Sequence, residues 1–137
     1  MAKGLKTMNN YKQLKIWQKS IELAERVYQV TQTFPKTELF GLTVQMRKSV
    51  TSIASNIAEG AGRNSPKDFS NFLGIANGST CELETHLIIA CKVDLIALAD
   101  LKALQNIIVE IQKMNRALKR SLLITKSTNN QVLMTRD

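Results

Sequence analysis

The chain has 137 residues, and its 19 lysines and arginines against 11 aspartates and glutamates give a formal net charge of +8. This length allows one domain with a single core, and the charge favours polyanionic partners, meaning nucleic acid or an anionic membrane surface. No apolar stretch approaches the roughly 20 residues of a membrane span, and the N-terminus lacks the apolar segment of a signal peptide, so we expect neither.

Two helices are predicted in the first half of the chain. The first covers about residues 11–33 and ends before Pro35, because proline disfavours helical backbone at the residue that precedes it. The second covers about residues 37–61, or begins as late as Leu42, and it ends in a glycine-rich segment.

Two more helices are predicted in the second half. The third opens with Ser65 as a cap, Pro66 at the first helical position and Asp68 three residues after the serine. It continues to about Val93, and the fourth covers about residues 100–125. Neither glycine nor proline marks the break between them.

Long helices with short connections, and no sustained strand alternation, predict an all-α fold. The expected architecture is an antiparallel up-down four-helix bundle. We expect the bundle to occupy residues 11–126, with flexible tails at residues 1–10 and 127–137.

The first helix has more apolar surface than a bundle core requires. One stripe, with the spacing of a bundle seam, consists of Leu14, Trp17, Ile21, Ala24, Tyr28 and Thr31. A second stripe beside it contains Ile16 and Val27. On the third helix, Gly74 and Gly78 lie in a column of small residues, which indicates the close approach of another backbone. We predict a homo-oligomer whose interface includes these four residues; the alternative is one wide core with incidental glycines.

The first and fourth helices carry basic faces, whereas the third helix is acidic. The basic residues predicted to contact nucleic acid are Lys12, Lys15, Lys19, Arg26, Lys113, Arg116 and Arg120. A stripe of single-sign charge on a bundle is either a solvated face or a contact surface for phosphates, and both interpretations stay open.

A column of polar residues runs along the second helix at spacings of three and four. Its members include Gln45, Ser52, Asn56, Glu59 and Arg63. Because the column lies beside an apolar stripe, it should be at least half buried, and its polar groups then need hydrogen-bond partners. The interpretation we favour is an internal network in which Ser52, Asn56 and Glu59 bond within the bundle.

The charged groups near the column are expected to be paired, because a lone buried carboxylate is costly. The candidate cations are Arg47 and Arg63, and the candidate carboxylates are Glu59, Glu82 and Glu84. The alternative is a groove that binds a ligand or RNA. Its lining would be Gln45, Arg47, Asn56 and Arg63.

Residue patterns for catalysis or metal binding are missing from the sequence. The single histidine, His86, lies at the edge of a predicted core stripe, where a packing role is more common than catalysis. Cys81 and Cys91 lie about 15 Å apart on one helix, too far for a disulfide, and neither has a partner at zinc spacing. There is no glycine-rich phosphate loop. We expect no enzymatic activity, no metal and no cofactor, and free thiols fit the cytoplasm.

Several short segments match a known bacterial family. They are residues 14–18 (LKIWQ), Phe34-Pro35 with Gly41-Leu42, Ser52-Ile53 with residues 56–60 (NIAEG), and Gly78-Ser79 with residues 82–84 (ELE). These segments resemble the four-helix-bundle family called 23S rRNA-intervening sequence proteins. The resemblance implies a non-enzymatic antiparallel bundle that assembles as a ring-shaped homopentamer. The chain is also similar to the accessory protein of diversity-generating retroelements, a basic bundle that associates with a reverse transcriptase and nucleic acid.

Two hypotheses for function remain. In the first, the basic faces bind the phosphates of nucleic acid, with structured RNA as the expected ligand. In the second, the chain is an oligomeric protein-binding scaffold or accessory subunit with no direct nucleic-acid contact, and its partner docks on the acidic third helix or in the mouth of a ring. Binding that weakens steeply with salt favours the first. A protein association that survives nuclease treatment favours the second.

Overall fold

The computed structural model describes residues 10–134, with side chains described from residue 10 to residue 124. Within that range the chain forms four α-helices and no strand. The helices are α1 (Lys15–Thr31), α2 (Val44–Ala61), α3 (Pro66–Lys92) and α4 (Leu98–Met134).

The four helices pack against each other in a closed cycle. α2 contacts α1 and α3, and α4 contacts α3 and α1. α2 and α3 are joined by residues 62–65, and α3 and α4 by residues 93–97, links too short for anything but an antiparallel arrangement. The link between α1 and α2 is longer, residues 32–43, but Thr31 at the end of α1 accepts a hydrogen bond from Arg47 near the start of α2, as in an antiparallel pair. The predicted all-α fold is confirmed, and these helix contacts are consistent with the predicted up-down bundle.

All four helices contribute to one core. Fully buried side chains include Leu23 of α1, Ile53 of α2, Leu83 of α3 and Ile108 of α4. Burial of each such side chain contributes about 1.5–3 kcal/mol to folding.

The buried stripe of α1 is the one that the sequence analysis placed in an oligomer interface. Ile16 and Val27 are 3% and 0% exposed within a single chain, so a second copy cannot reach them and the prediction for these two residues is wrong. Ile21 and Tyr28, from the predicted seam, are instead exposed, and Trp17 lies half-buried at the edge of the core. Periodicity cannot determine which of two adjacent apolar stripes faces the bundle axis; the packing of α1 between α2 and α4 decides it.

The glycine that permits a close helix approach is Gly60. A Cβ placed there would lie 2.7 Å from the Cβ of Phe72 and 3.0 Å from the Cδ1 of Phe69, so α2 and α3 could not pack as they do around a larger residue. A Cβ at Gly78 would meet nothing within 4 Å, and one at Gly74 would make only an ordinary contact with a lysine side chain. Gly78 thus lies on an open surface of the described chain, and its role in assembly stays a prediction.

The start of α3 is capped as predicted. The Ser65 hydroxyl accepts a hydrogen bond of 3.0 Å from the backbone N–H of Asp68, and Pro66 occupies the first turn. This bond satisfies one of the backbone donors that every helix start leaves open.

The end of α3 is closed by a Schellman motif. The N–H of Leu95 donates to the carbonyl of Ala90 at 2.8 Å, and the N–H of Asp94 donates to that of Cys91 at 3.1 Å. Asp94 has a φ of 63°, the left-handed conformation in which glycine is the usual residue. A turn that needs no glycine explains why the break between the two helices left so weak a sequence signal.

Three boundaries differ from the predicted ones. Regular α1 begins at Lys15 instead of near Tyr11, because Leu14 is extended and Tyr11–Gln13 form a separate 3₁₀ turn. The link from α1 contains a 3₁₀ turn at Lys36–Glu38 and a π-helical turn at Leu39–Thr43, so regular α2 begins only at Val44. α4 continues to Met134 instead of ending near Thr125, because residues 98–134 contain no glycine or proline that would stop it. Most of the predicted C-terminal tail is therefore helical. The rest of the predicted tails, residues 1–9 and 135–137, lies outside the described residues.

Candidate nucleic-acid interface and the polar column

The basic faces of α1 and α4 meet along one open groove. Lys15 and Lys19 of α1 line it together with Glu110 and Lys113 of α4, and the groove has a volume of about 700 Å³. The two helices are antiparallel, so each turn towards the start of α1 matches a turn towards the end of α4. Packing thus brings together residues that the sequence analysis had placed on two separate faces.

Lys19 is engaged in ion pairs across this groove. Its Nζ lies 2.9 Å from Oε2 of Glu110 and 3.2 Å from Oε2 of Glu22. Hydrogen bonds to Glu110 and then Glu22 raise the pKa of Lys19 above its usual 10.5. Lys19 therefore links α1 to α4, and its predicted contact with nucleic acid stays a prediction.

The remaining cations of this region are exposed and form no ion pair within the described part of the chain. From the Lys19–Glu110 pair, Lys15 lies towards the start of α1 and Lys12 lies in the 3₁₀ turn before it, whereas those of α4 lie towards its end, so all of them occupy one end of the bundle. We call this set the α1/α4 basic surface. Its members are Lys12, Lys15, Lys113, Arg116 and Arg120.

Arg26 does not belong to this surface. It lies two turns beyond Lys19, about 10 Å further along α1. There it lines a different groove with Gln29 and Asp100, and the nearby carboxylate offsets part of its charge. The structure therefore separates Arg26 from the other basic residues that were predicted to act together.

The centre of the polar column forms hydrogen bonds across the α2–α3 seam. The hydroxyl oxygens of Ser52 and Ser79 lie 2.8 Å apart. Asn56 donates from Nδ2 to the Ser52 carbonyl at 2.8 Å and to the Ser52 hydroxyl at 2.9 Å. All three residues are half-buried. The structure thus brings Ser52 and Asn56 together, and it adds Ser79 as a partner that the sequence analysis did not name.

The ends of the column are exposed, contrary to the expectation that the whole column is at least half buried. Gln45 lies on the surface near the start of α2. At the other end Arg63 forms an ion pair of 2.9 Å with Glu59, and its guanidinium lies 5.0 Å from the ring centroid of Phe72. The pair involves two exposed groups, so it contributes little to stability.

The two carboxylates of α3 are not partners of the column. Glu84 accepts a hydrogen bond of 3.3 Å from Gln105 of α4, and Glu82 is exposed. Both lie on α3 beyond the Ser52–Ser79 contact. Of the ion pairs proposed for the column, the structure therefore contains only the one between Arg63 and Glu59 among its described residues.

Arg47 contacts α1 instead of a carboxylate. Its Nε donates to the Thr31 hydroxyl at 3.0 Å, and its guanidinium carbon lies 4.6 Å from the ring centroid of Tyr28. This is a cation–π contact supported by a hydrogen bond. The predicted pairing of Arg47 with an acidic residue is not observed.

Two buried polar groups were not identified as such from the sequence. Asn115 is 3% exposed and donates from Nδ2 to the carbonyl of Leu73 at 2.9 Å, which connects α4 to α3. A signal was present, because Asn115 lies between Ile111 and Leu118 at the spacing of the core stripe. The Nδ1 of His86 is buried and has no hydrogen-bond partner in the described structure, so the packing role expected for this histidine lacks the usual hydrogen bond.

Within the described residues, no group of three or more histidine, cysteine, aspartate or glutamate side chains is placed to hold a metal ion. Nor does any helix in that part of the chain combine the length and the apolar character needed to cross a bilayer. Cys81 and Cys91 are free thiols.

Comparisons with known proteins agree on one family. A family model described as 23S rRNA-intervening sequence protein matches residues 12–117. A similar solved structure is a protein of unknown function from the S23 ribosomal protein family of Bacteroides thetaiotaomicron. It is 28% identical in sequence with a TM-score of 0.68, and the match covers 76% of this chain and 97% of that one. A search of curated proteins finds no match.

Proposed function

Because the chain belongs to the 23S rRNA-intervening sequence protein family, we propose that it is a non-enzymatic, oligomeric helical-bundle protein that binds nucleic acid. Structured RNA is its expected ligand, and the α1/α4 basic surface makes the contact through backbone phosphates. The family description names no enzymatic activity. We place the protein in the cytoplasm, where Cys81 and Cys91 stay reduced.

The observation that carries this proposal is the distribution of charge around the α1–α4 groove. Two carboxylates line it, those of Glu22 and Glu110, and both form ion pairs with Lys19. They leave the five cations of the α1/α4 basic surface uncompensated. If each of them neutralises one phosphate, the logarithm of the binding constant should fall with the logarithm of salt concentration with a slope of about −4 to −5.

The α1/α4 basic surface favours phosphate contacts over the reading of bases. It contains no aromatic side chain on which a base could stack, and the nearby Trp17 is half-buried with its ring 5.3 Å from that of Tyr11. Cations on flexible side chains position a nucleic acid without selecting its sequence. We therefore expect recognition of RNA shape and charge with little sequence preference.

The test is the binding of a fluorescently labelled RNA hairpin, followed by anisotropy at increasing salt. A double variant with Arg116→Glu and Arg120→Glu should lose most of its affinity and have a shallower salt slope. The matched control reverses two exposed lysines elsewhere, Lys36→Glu and Lys67→Glu, so that the change in net charge is identical. Equal losses in both variants, or no RNA binding by the wild-type protein at low salt, would overturn the proposal.

Self-association is the second part of the proposal. α3 exposes Ile75 and Ile89, and Gly78 lies between them on an open surface. Exposed apolar side chains, beside a glycine that leaves the helix backbone accessible to a neighbour, favour contact between α3 and a second copy. A closed ring would repeat the α1/α4 basic surface, and this multivalency would strengthen a weak contact made by each subunit.

Light scattering at micromolar concentration tests this assembly. We expect a closed oligomer, a pentamer if the resemblance to the family extends so far, and Gly78→Leu should shift it towards the 15.3 kDa monomer. A wild-type protein that elutes as a monomer would overturn this part of the proposal.

The competing function is a protein-binding scaffold, which is favoured by the apolar residues exposed on the otherwise acidic α3. A partner recovered with the protein after nuclease treatment, and lost on Ile75→Asp, would support it. Loss of the partner on nuclease treatment would mean that nucleic acid links the two proteins, which would support nucleic-acid binding instead.

A further inference from the structure

We propose that the groove between α1 and α2 binds a phosphate group. Tyr28 of α1 lines it on one side, and Arg47, Lys48 and Ser55 of α2 lie on the other, in an open volume of about 460 Å³. The phosphate is supplied either by a nucleic-acid backbone or by a small phosphorylated compound. The first of these sources rests on the function proposed above.

Arg47 is held in position before any ligand arrives. The Thr31 hydroxyl that accepts its Nε–H is itself bonded to the Val27 carbonyl at 2.8 Å, and the ring of Tyr28 covers one face of the guanidinium. The two terminal amino groups of Arg47 have no hydrogen-bond partner within the described residues. A guanidinium fixed in this way loses less conformational freedom when it binds an oxyanion with two parallel hydrogen bonds.

The charge of this groove is uncompensated. Lys48 is exposed and forms no ion pair in the described part of the chain, and no carboxylate lines the groove. This differs from the α1–α4 groove, where Glu22 and Glu110 offset Lys19. Two cations in one concave surface without a nearby carboxylate attract an anion.

A free hydroxyl completes the set of donors. The Thr51 hydroxyl donates to the Arg47 carbonyl at 2.7 Å, and the Ser52 hydroxyl is engaged with Ser79, whereas Ser55 has no partner in the described structure. Ser55 lies about two turns after Lys48 on the same face of α2. The donors of this groove are the guanidinium of Arg47, the ammonium of Lys48 and the hydroxyl of Ser55. Three separate donor groups suit the several oxygens of a phosphate better than the two oxygens of a carboxylate.

This groove is separate from the α1/α4 basic surface. It lies on the α2 side of α1, and Tyr28 is about 20 Å along the helix from Lys15. A substitution on one of the two surfaces should therefore leave the other surface unaffected.

The experiment compares Lys48→Gln with Lys92→Gln. Both lysines are exposed and form no ion pair among the described residues, so neither change should disturb the fold, and each removes one positive charge. The probes are inorganic pyrophosphate, titrated by calorimetry and by amide chemical-shift changes in α2, and the labelled RNA hairpin. We expect Lys48→Gln to weaken binding about tenfold, Ser55→Ala to weaken it less, and Lys92→Gln to leave it unchanged.

The two probes distinguish the sources of the phosphate. If Lys48→Gln weakens RNA binding and reduces the salt slope by about 1, and Lys92→Gln does neither, the result supports a nucleic-acid phosphate in the groove. Loss of pyrophosphate binding with unchanged RNA binding supports a small phosphorylated compound. If Lys48→Gln behaves like Lys92→Gln with both probes, the phosphate site is overturned. Failure of the function proposed above is distinct, because it is read from the Arg116 and Arg120 variant.

Discussion

The hydroxyl of Ser52 in α2 lies 2.8 Å from the hydroxyl of Ser79 in α3. Asn56 completes the cluster by donating to both polar oxygens of Ser52. Since these polar groups satisfy one another across a packed helix seam, we interpret the centre of the polar column as a structural network.

Substitution of Asn56 by alanine should lower the free energy of unfolding by about 1–3 kcal/mol, because Ser52 loses a partner in a half-buried site. Urea denaturation of the variant gives this value. Ser55→Ala is the control, since Ser55 is exposed and its substitution should change stability by less than about 0.5 kcal/mol. An Asn56 variant with wild-type stability and reduced RNA affinity would identify the column as a binding site instead.

Glu110→Gln should increase the affinity for the RNA hairpin. The change removes the nearer of the two carboxylates paired with Lys19, so that only Glu22 offsets this cation beside the α1/α4 basic surface. The salt dependence of binding should become steeper. Glu25→Gln makes the same change in net charge at an exposed residue of α1 without an ion pair among the described residues. Identical affinities for the two variants would mean that net charge alone governs binding.

The ion pairs of Lys19 should stabilise the fold at neutral pH and lose their effect in strong base. The pKa of Lys19 is raised in the folded chain, so the stabilisation is complete below pH 10.5 and is lost as the pH rises through the higher, folded-state value. The measurement is the stability difference between the wild-type protein and Lys19→Met, followed from pH 8 upwards. A difference that stays constant above pH 10.5 would show that packing of the lysine side chain, not its charge, is responsible.

Two glycines should respond to alanine with opposite signs. Gly60→Ala should destabilise the protein by about 1–3 kcal/mol, since its Cβ would overlap with Phe72 and Phe69. Gly78→Ala should stabilise an isolated subunit by about 1 kcal/mol, because alanine is the better helix former and nothing lies within 4 Å. Thermal unfolding of both variants at low protein concentration makes the comparison. A loss of stability on Gly78→Ala would mean that a second copy packs there even in dilute solution.

Asp94→Gly should raise the free energy of unfolding by about 1 kcal/mol. Asp94 has a φ of 63°, a conformation that costs most residues about 1–2 kcal/mol and glycine almost nothing. Asp94→Ala separates this effect from charge, since it removes the carboxylate at the end of α3 and retains a Cβ, without the polar side chain that lets asparagine tolerate this conformation. If alanine and glycine stabilise the protein equally, the charge at the helix end and not the backbone conformation is the cause.

The sequence was sufficient to predict those features that depend on neighbours along one helix. The cap at Ser65 follows from a local pattern of residues. The choice between Ile16 and Ile21 as the residue facing the core does not, because both lie on apolar stripes of the same helix and only the packing of three other helices distinguishes them. The pairing of Lys19 with Glu110 depends on the register of helices far apart in the chain, which periodicity does not encode. For the same reason, the cation–π contact between Arg47 and Tyr28 could not be predicted from the sequence.

The α1–α4 contact joins the first helix of the bundle to the last, and Lys19 meets Glu110 only when both are present. Helices that are neighbours along the chain, such as α2 and α3, can pair as soon as both have been synthesised, whereas the contact between α4 and α1 closes a long loop and requires α4 as well. A folding chain in which α4 has not yet packed therefore lacks the assembled α1/α4 basic surface. We expect this surface to be among the last parts of the bundle to form, so that incompletely folded chains do not present it.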